Sequence, residues 1–467
     1  MQHLSRLLDA PLAANPDRLA ARGSDGDFTY AELDRRAAAL ARALTTGGMS
    51  ADEPVAVRVG NRALDLAGFL GIWRAGGVAV PIHRTTPERV TAELLRRSGA
   101  RFLVESAEVS RPDPLRGPPV PRALLTGAAL VIFTSGTTGT PKGVVLTHAG
   151  FAGKLATIDS VFPFPAETRT LLLLQLTFSF GQWVSLLTLH HGGTLVLHER
   201  FEVERALAAL AEERIERLGI VPTMMRALFP LLAGSEISRD GIPRLFMAGG
   251  ETMAAGLSRA WRAALPEAAL ADIYGLTETS TCDFFLPSAD QDRFPGTIGT
   301  PMPQVDYTLF EGELAIRTPF VMAGYLDEPE LTASAFRDGY FRTGDLAERT
   351  QEGRVRLVGR AKELIHRAGN KVSPLEVERV FLEHPEIQEA LATGLPDPRL
   401  GEAIHLLIVP AAGASPRPQE LRAWAASRLE RYKLPDAIHF GSAIPLGRTG
   451  KADRVALRTS LQDAAKK

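Results

Sequence analysis

A single cysteine, Cys282, in 467 residues excludes an intrachain disulfide and any cysteine-built zinc centre, so a reducing cytoplasm is the expected setting. Neither charge is in excess. Lys and Arg number 53 against 54 Asp and Glu, a formal net charge of −1, which gives no electrostatic reason to expect nucleic acid or an acidic membrane as partner. Long apolar runs are also missing. Leu171–Leu174 stops at Gln175 and Ala128–Phe133 runs into a Ser/Thr/Gly cluster, both far short of the roughly 18 residues a membrane span requires. The segment Met1–Arg6 has no apolar core leading to a small-residue cleavage site, so no secretory signal is expected. Repeats and low-complexity tracts are absent, and the Pro-rich stretch Arg111–Pro121 reads as a surface connection. What remains is an ordinary globular balance, 45% hydrophobic and 23% charged, in a chain long enough for two or three domains.

Local signals organise that length. Thr29 and Glu32 form a capping-box pattern ahead of Leu33, Ala37, Leu40 and Leu44, which share one helical face. Thr86-Pro87 opens a second helix carrying Val90 and Leu94, with Gly99 as its stop. Val55–Val59 and Val78–Pro81 read as strands. Further on, short aliphatic runs lead into glycine turns. Leu130–Phe133 precedes Thr134-Ser135-Gly136, Leu245–Met247 precedes Gly249-Gly250-Glu251, and Leu270–Tyr274 precedes Gly275; Thr194–Leu197 follows Gly192-Gly193. With helical stretches such as Val203–Glu213 between them, the pattern predicts an α/β architecture with largely parallel sheets and a ligand at the strand ends. From Gly296 to Arg360 short strands and turns suggest a small β-barrel, with 312–316 and 354–358 as sheet edges. A new unit starts at the helix signal Ser373-Pro374-Leu375-Glu376, followed by a strand over Ala403–Val409 and a helix near Leu421–Leu429. The boundary is placed at Lys362, giving domains 1–361 and 362–467.

One loop carries chemistry on its own terms. Thr134-Ser135-Gly136-Thr137-Thr138-Gly139-Thr140-Pro141-Lys142-Gly143 follows a buried-looking strand. Its glycines let backbone approach an anion, its hydroxyls donate to phosphate oxygens, and Lys142 adds a point charge. A Walker A loop is excluded, because Pro precedes the lysine and Gly follows it. A surface turn of the same composition is the plainer alternative for this stretch in isolation.

Together with motifs in the same order further along, the chain from Phe28 to Lys451 resembles the adenylate-forming superfamily of acyl- and aryl-CoA ligases, peptide-synthetase adenylation domains and firefly-type luciferases. Phe28–Leu33 is similar to its opening helix, and Thr134, Ser135, Gly136, Thr137, Thr138 and Lys142 belong to its phosphate loop. The resemblance implies that Gly249, Gly250 and Glu251 flank adenine and that Tyr274, beside Gly275, stacks on it. It implies that Thr277 touches the α-phosphate, that Glu278 holds Mg²⁺, and that Asp345 in Phe341–Asp345 accepts from both ribose hydroxyls. Arg360 then lies near the ribose, Lys362 is the hinge, and Lys451 in Pro445–Lys451 is the catalytic lysine. Gly369 would line a tunnel for a pantetheine arm once the small domain swings. Singly, Asp345 reads as a turn cap, Glu278 as a helix-start acid, Tyr274 as core and Lys451 as one more solvated lysine; their order along the chain favours the family reading.

The implied fold is a large N-terminal domain of two α/β subdomains and a small β-barrel, plus a small mobile α+β C-terminal domain. The implied reaction is ATP-dependent: a carboxylic acid joined to AMP with release of pyrophosphate, then passed to a thiol. Phe178, Phe180, Gly181, Trp183 and Met247, with Ile220 and Val221, are similar to the acyl-pocket wall, although Ile220 and Val221 read equally as core. Gly181 stands where amino-acid-activating relatives carry Asp, so a fatty or aromatic acid is expected. His148, the His190-His191 pair and Cys282 read as structural. No carrier segment is recognised in the chain, so the expected acceptor is CoA or the phosphopantetheine of a separate acyl carrier protein. Arg367, Lys371, Arg431 and Lys433 are candidate contacts for it, or simply a solvated face.

Overall fold

A computed structural model describes residues 3–111, 121–134, 141–233, 242–447 and 451–465. The capping box forms as the sequence predicts. Thr29 accepts from the Glu32 amide, Glu32 reaches back to the Thr29 amide, and the helix Tyr30–Thr46 buries Leu33, Ala37, Leu40 and Leu44. The second helix spans Glu88–Ser98 and ends at Gly99 with φ +69°, the left-handed turn that a glycine takes without steric cost.

Two α/β sheets make the large body. In the first, Phe102–Glu105, Pro54–Val59, Val78–His83 and Ala128–Thr134 run parallel, and Lys142–Thr147 returns antiparallel. In the second, six parallel strands lie in the order Ala269–Tyr274, Leu245–Gly249, Arg217–Ile220, Arg169–Leu172, Thr194–Leu197 and Leu19–Gly23, with short antiparallel strands at both edges. Helices on the sheets explain why these strands are near-continuous apolar runs rather than alternating ones. The glycine turns foreseen after Met247 and Tyr274 sit at the C-terminal ends of neighbouring strands, where open parallel sheets leave a crevice.

The small barrel takes the form of a five-stranded half-barrel sheet built from Asp306–Phe310, Glu313–Arg317, Tyr340–Arg349, Phe336–Arg337 and Val355–Arg360. One correction applies. Glu313–Arg317 is an inner strand, paired on both sides, rather than an edge. Its buried Leu314, Ala315 and Ile316 form the apolar run read from the sequence.

Beyond Arg360 a separate five-stranded sheet, containing the long hairpin Ile387–Asp397/Gly401–Pro410, packs under the helices Pro374–Leu382 and Pro418–Ala426. Ser373 caps the first of these helices, accepting from the Glu376 amide. The main apolar core runs from Leu4 to Val355 and the next from Ile365 to Leu429, so among the described residues the hydrophobic clusters divide at the turn 361–363. No helix among the described residues is long and apolar enough to cross a membrane.

Candidate active site

Thr134 and Lys142 face each other in antiparallel register, at the facing ends of two neighbouring strands. Ser135, Gly136, Thr137 and Thr138 lie outside the described residues. The Lys142 Nζ sits 5.0 Å above the Tyr325 ring, and the Tyr325 hydroxyl donates to Glu278 Oε1 at 3.1 Å. Burial pushes the Glu278 carboxyl above the usual range, opposed by the Tyr325 hydrogen bond and by the charges of Lys142 and Arg360. Tyr325 thus ties Lys142 to Glu278. Its sequence gave no sign of this, because Gly324–Tyr325 joins the sheet edge beside Lys142–Thr147 only through the fold.

Glu278 and Thr277 ride on the loop 275–283, whose neck closes through Asp283 N donating to the Tyr274 carbonyl at 2.7 Å. Thr277 Oγ1 lies 3.5 Å from Ser179 Oγ. The loop is strained. Ser280, Thr281 and Cys282 all have positive φ, at 61°, 71° and 44°, conformations that cost of order 1 kcal/mol each without a glycine. Gly275 has no alternative, since a Cβ there would stand 2.2 Å from the Cys282 amide nitrogen. Cys282 is fully buried with its thiol pushed up to about 12 by burial, which fits a structural filler.

Tyr274 donates its hydroxyl to Asp345 Oδ2 at 2.7 Å, and Arg360 holds Asp345 Oδ1 at 2.8 Å. Each carboxylate oxygen keeps a second lone pair, so the pair of oxygens can still accept from vicinal hydroxyls. Burial raises the Asp345 carboxyl, and the adjacent Arg360 guanidinium opposes that rise. Gly249 packs against the Ile273 carbonyl and the edge of the Phe180 ring, where a Cβ would lie 2.8 and 3.2 Å from them. Glu251 accepts from Thr223 Oγ1 at 2.9 Å and lies 3.5 Å from Arg226, two residues of the helix Pro222–Ala233 that sequence reasoning did not select.

Lys451 enters this group from the C-terminal unit. Its Cε and Nζ lie 3.0 and 3.3 Å from the point a Cβ on Gly250 would occupy, and Gly250 has φ +85°. Glycine is required there twice over, by conformation and by the lysine crossing it. Burial pushes the Lys451 amine below its ordinary range, Arg360 adds to that, and Glu251 and Asp345 oppose it. The segment is anchored behind the lysine. Arg454 donates to Glu363 and to Glu378, at 2.9 Å in each case, so the segment that follows Lys451 is tied within its own unit to the residue next to Lys362. A bridge joins the two units where Arg226 Nε meets Glu389 Oε1 at 3.1 Å.

At the candidate acyl pocket, Phe178 precedes the helix Ser179–His190, and Phe180 stacks on the buried Trp183 with ring centroids 5.5 Å apart. Met247, Ile220 and Val221 are buried at the adjoining strand ends. A Cβ at Gly181 would lie 2.4 Å from the Gln175 carbonyl oxygen. The glycine is held by backbone packing, and the position has no room for an aspartate.

Lys362 is exposed in the turn 361–363 between the half-barrel and the C-terminal sheet. Gly369, with Ala368, makes a two-residue hairpin turn with φ of +80° and +48°. A Cβ at Gly369 would meet nothing within 4 Å, so in this arrangement the turn, not a tunnel wall, accounts for the glycine. Of the basic acceptor candidates, Arg367 is paired with Asp436, and Lys433 with Glu376 and Glu430, while Lys371 and Arg431 are exposed. His148 stacks on His3 and accepts from the Leu4 amide. His191 caps the helix Ser179–His190 and pairs with Asp159.

The chain is similar to known proteins in sequence and in fold. The profile of a family described as AMP-binding enzyme matches residues 8–117 and 105–326, and that of an AMP-binding enzyme C-terminal domain matches 376–451. A feruloyl-CoA synthase from an Amycolatopsis species is 30% identical over 94% of this chain and 94% of its own. The long-chain-fatty-acid–CoA ligase FadD13 of Mycobacterium tuberculosis is 29% identical over 93% of each. The ATP-bound crystal structure of MatB from Rhodopseudomonas palustris superposes with a TM-score of 0.85 at 25% identity, covering 98% of this chain and 99% of that one. Apo MatB superposes with 0.75 at the same identity, covering 99% of each.

Proposed function

The chain belongs to the AMP-binding, adenylate-forming enzyme family, and from that membership we infer that it is an AMP-forming acid–thiol ligase. It joins a carboxylic acid to AMP with release of pyrophosphate and transfers the acyl group to a thiol. The observation that carries this reading is Lys451 lying across Gly250 beside Glu251 and within the field of Asp345 and Arg360. A carboxylate attacking an α-phosphorus brings two anions together, and a buried ammonium at their junction offsets the repulsion as charge moves to the leaving pyrophosphate.

Each remaining residue then has a task. Lys142 and the loop preceding it hold the β- and γ-phosphates. Asp345, fixed by Tyr274 and Arg360, accepts from the ribose hydroxyls, while Gly249, Gly250 and Tyr274 border adenine. Thr277 donates to the α-phosphate. Glu278 fits Mg²⁺, being a carboxylate with one hydrogen-bond donor on it and lone pairs to spare. Among the described residues no group of three or more metal-binding side chains exists, as suits a cation held by one carboxylate together with substrate phosphates. When bound, that ion supplies charge neutralisation on the phosphates.

The substrate is an aromatic or fatty acid. The stacked Phe180 and Trp183 and the buried Met247 give an apolar wall, and the packed Gly181 leaves no aspartate for an α-ammonium. CoA is the proposed acceptor, and the setting is the cytoplasm. The better superposition on ATP-bound than on apo MatB supports assigning this arrangement to the adenylating step. The turn at Lys362 is the proposed pivot toward the thiol step, in which the Gly369 turn would approach the pantetheine arm.

ATP–pyrophosphate exchange over a panel of aryl, fatty and amino acids tests the reading, followed by CoA or a phosphopantetheinyl carrier as acceptor. Thioester on the carrier alone would replace CoA by a carrier protein. Lys451→Ala is expected to lose exchange by about 10²-fold or more while still binding ATP. Normal exchange in that variant removes the lysine from its role.

A further inference from the structure

The proposed chemistry does not use the most deeply buried charges beside the site. Lys154 and Asp283 are both fully buried, with Lys154 Nζ 2.7 Å from Asp283 Oδ1. Lys154 stands on the helix His148–Val161, where its buried neighbours are otherwise chiefly apolar. Its ammonium also donates to the Cys282 carbonyl at 3.2 Å and lies 5.5 Å over the Phe320 ring. The other oxygen of Asp283 accepts from Thr279 Oγ1, and the Asp283 amide closes the neck on Tyr274.

These contacts converge on the loop 275–283. Thr279 adjoins Glu278, and Cys282 is the last of three consecutive left-handed residues. Other ties hold the same loop from the half-barrel side: Ser280 Oγ donates to the Phe320 carbonyl at 2.6 Å, and the Met322 amide to the Glu278 carbonyl at 2.7 Å. A buried ion pair is weak evidence of stabilisation, because apolar replacements of both partners are often as stable. Its geometric effect is clear. It couples a loop with unfavourable backbone angles to a rigid helix, and through Thr279 on Asp283 it reaches the residue next to Glu278.

We propose that Lys154 and Asp283 are positioning residues, a buried clamp that fixes the strained loop so that Thr277 and Glu278 meet the α-phosphate in the adenylating transition state. This rests on the ligase reading above. Neither residue touches substrate. Their removal therefore acts on kcat more than on ATP binding, since misplaced groups forfeit stabilisation made mainly in the transition state.

Three variants test the clamp through pyrophosphate-exchange rate, ATP affinity by calorimetry, and melting temperature. Lys154→Met strands the Asp283 carboxylate and is expected to lose both stability and exchange. The double variant Lys154→Met/Asp283→Asn has no stranded charge. It is expected to regain most of the lost melting temperature while exchanging about ten-fold more slowly than wild type at an ATP affinity within about three-fold. Thr279→Val leaves the ion pair in place, should fold normally, and is expected to lose about five-fold in kcat. Wild-type exchange in the double variant, or in Thr279→Val if the double variant does not fold, overturns the clamp and leaves the pair a packing feature. A wild-type protein that exchanges with no acid refutes the ligase reading itself, a result these variants cannot mimic.

Discussion

The bridge between Arg226 and Glu389 offers a way to unbalance the two half-reactions. The two side chains are 14% and 12% exposed and meet at 3.1 Å, one on the large body and one on the C-terminal sheet. Glu389→Gln keeps the shape and an acceptor oxygen but removes the charge. A charge-assisted hydrogen bond exceeds a neutral one by about 1 kcal/mol, or about five-fold in the ratio of this arrangement to any in which the units separate. On the role proposed for Lys451 across Gly250, exchange should fall about five-fold. Thioester formation from synthetic acyl-adenylate and CoA does not need the lysine there, and should be unchanged or faster. The assay compares exchange with single-turnover thioester formation on one protein preparation. Raising the salt should slow wild-type exchange more than that of the variant, because part of the bridge is charge attraction open to screening. A parallel fall in both half-reactions, or no fall in exchange, refutes the reasoning.

Other outcomes follow from single contacts. Tyr274→Phe removes one of the two groups fixing Asp345 and should weaken ATP binding by about 1 kcal/mol, near five-fold in Kd, measured by calorimetry. Gly181→Ala places a methyl 2.4 Å from the Gln175 carbonyl oxygen and should cost about 2 kcal/mol or more of stability, read from urea midpoints; Gly181→Asp should likewise gain no amino-acid activation. His148 is pushed down to about 3 and His198 to about 4, chiefly by burial. The unfolded chain, with histidines near 6.5, takes up those protons first, so stability should fall as pH drops below about 6.5 and continue falling toward the folded values. The slope is at most about 1.4 kcal/mol per pH unit for each histidine, and His148→Gln should remove its share.

How much of this was legible depended on the range of the interactions. The helix Tyr30–Thr46 could be read because its cap, its third residue and its apolar face are all local. The parallel strands could be read because burial on both faces writes continuous apolar runs. The same signal misjudged Glu313–Arg317, since an apolar five-residue run does not say whether it has one neighbour or two. The order of motifs along the chain singles out Asp345, Glu278, Lys142 and Lys451 as candidates. It does not single out their supports. Tyr325, Thr223, Arg226, Asp283 and Glu389 reach their partners across separations of 25 to 163 residues or through a strained loop, and no spacing rule covers those. Lys154 did leave a trace, a lysine among the apolar positions that make up the buried face of its helix. Read against the cost of burying a lone charge, such a residue demands an acid elsewhere in the fold.

The same cost bears on how the two units come to close. Burial drives the Lys451 amine toward neutrality, and Arg360 nearby adds repulsion; Glu251 and Asp345 offset it only in part. Glu251 is itself shared with Arg226 and Thr223, and Asp345 with Arg360 and Tyr274, so neither is a dedicated counter-ion for the lysine. A triphosphate and a carboxylate would supply the missing negative charge at the point where the ammonium is most desolvated. Substrate therefore binds more tightly to the arrangement with Lys451 inside, and by linkage must favour it. Loss of pyrophosphate removes much of that charge and weakens the hold on the lysine. The charge balance of the site would then run the sequence of the two half-reactions, with the turn at Lys362 as the proposed pivot.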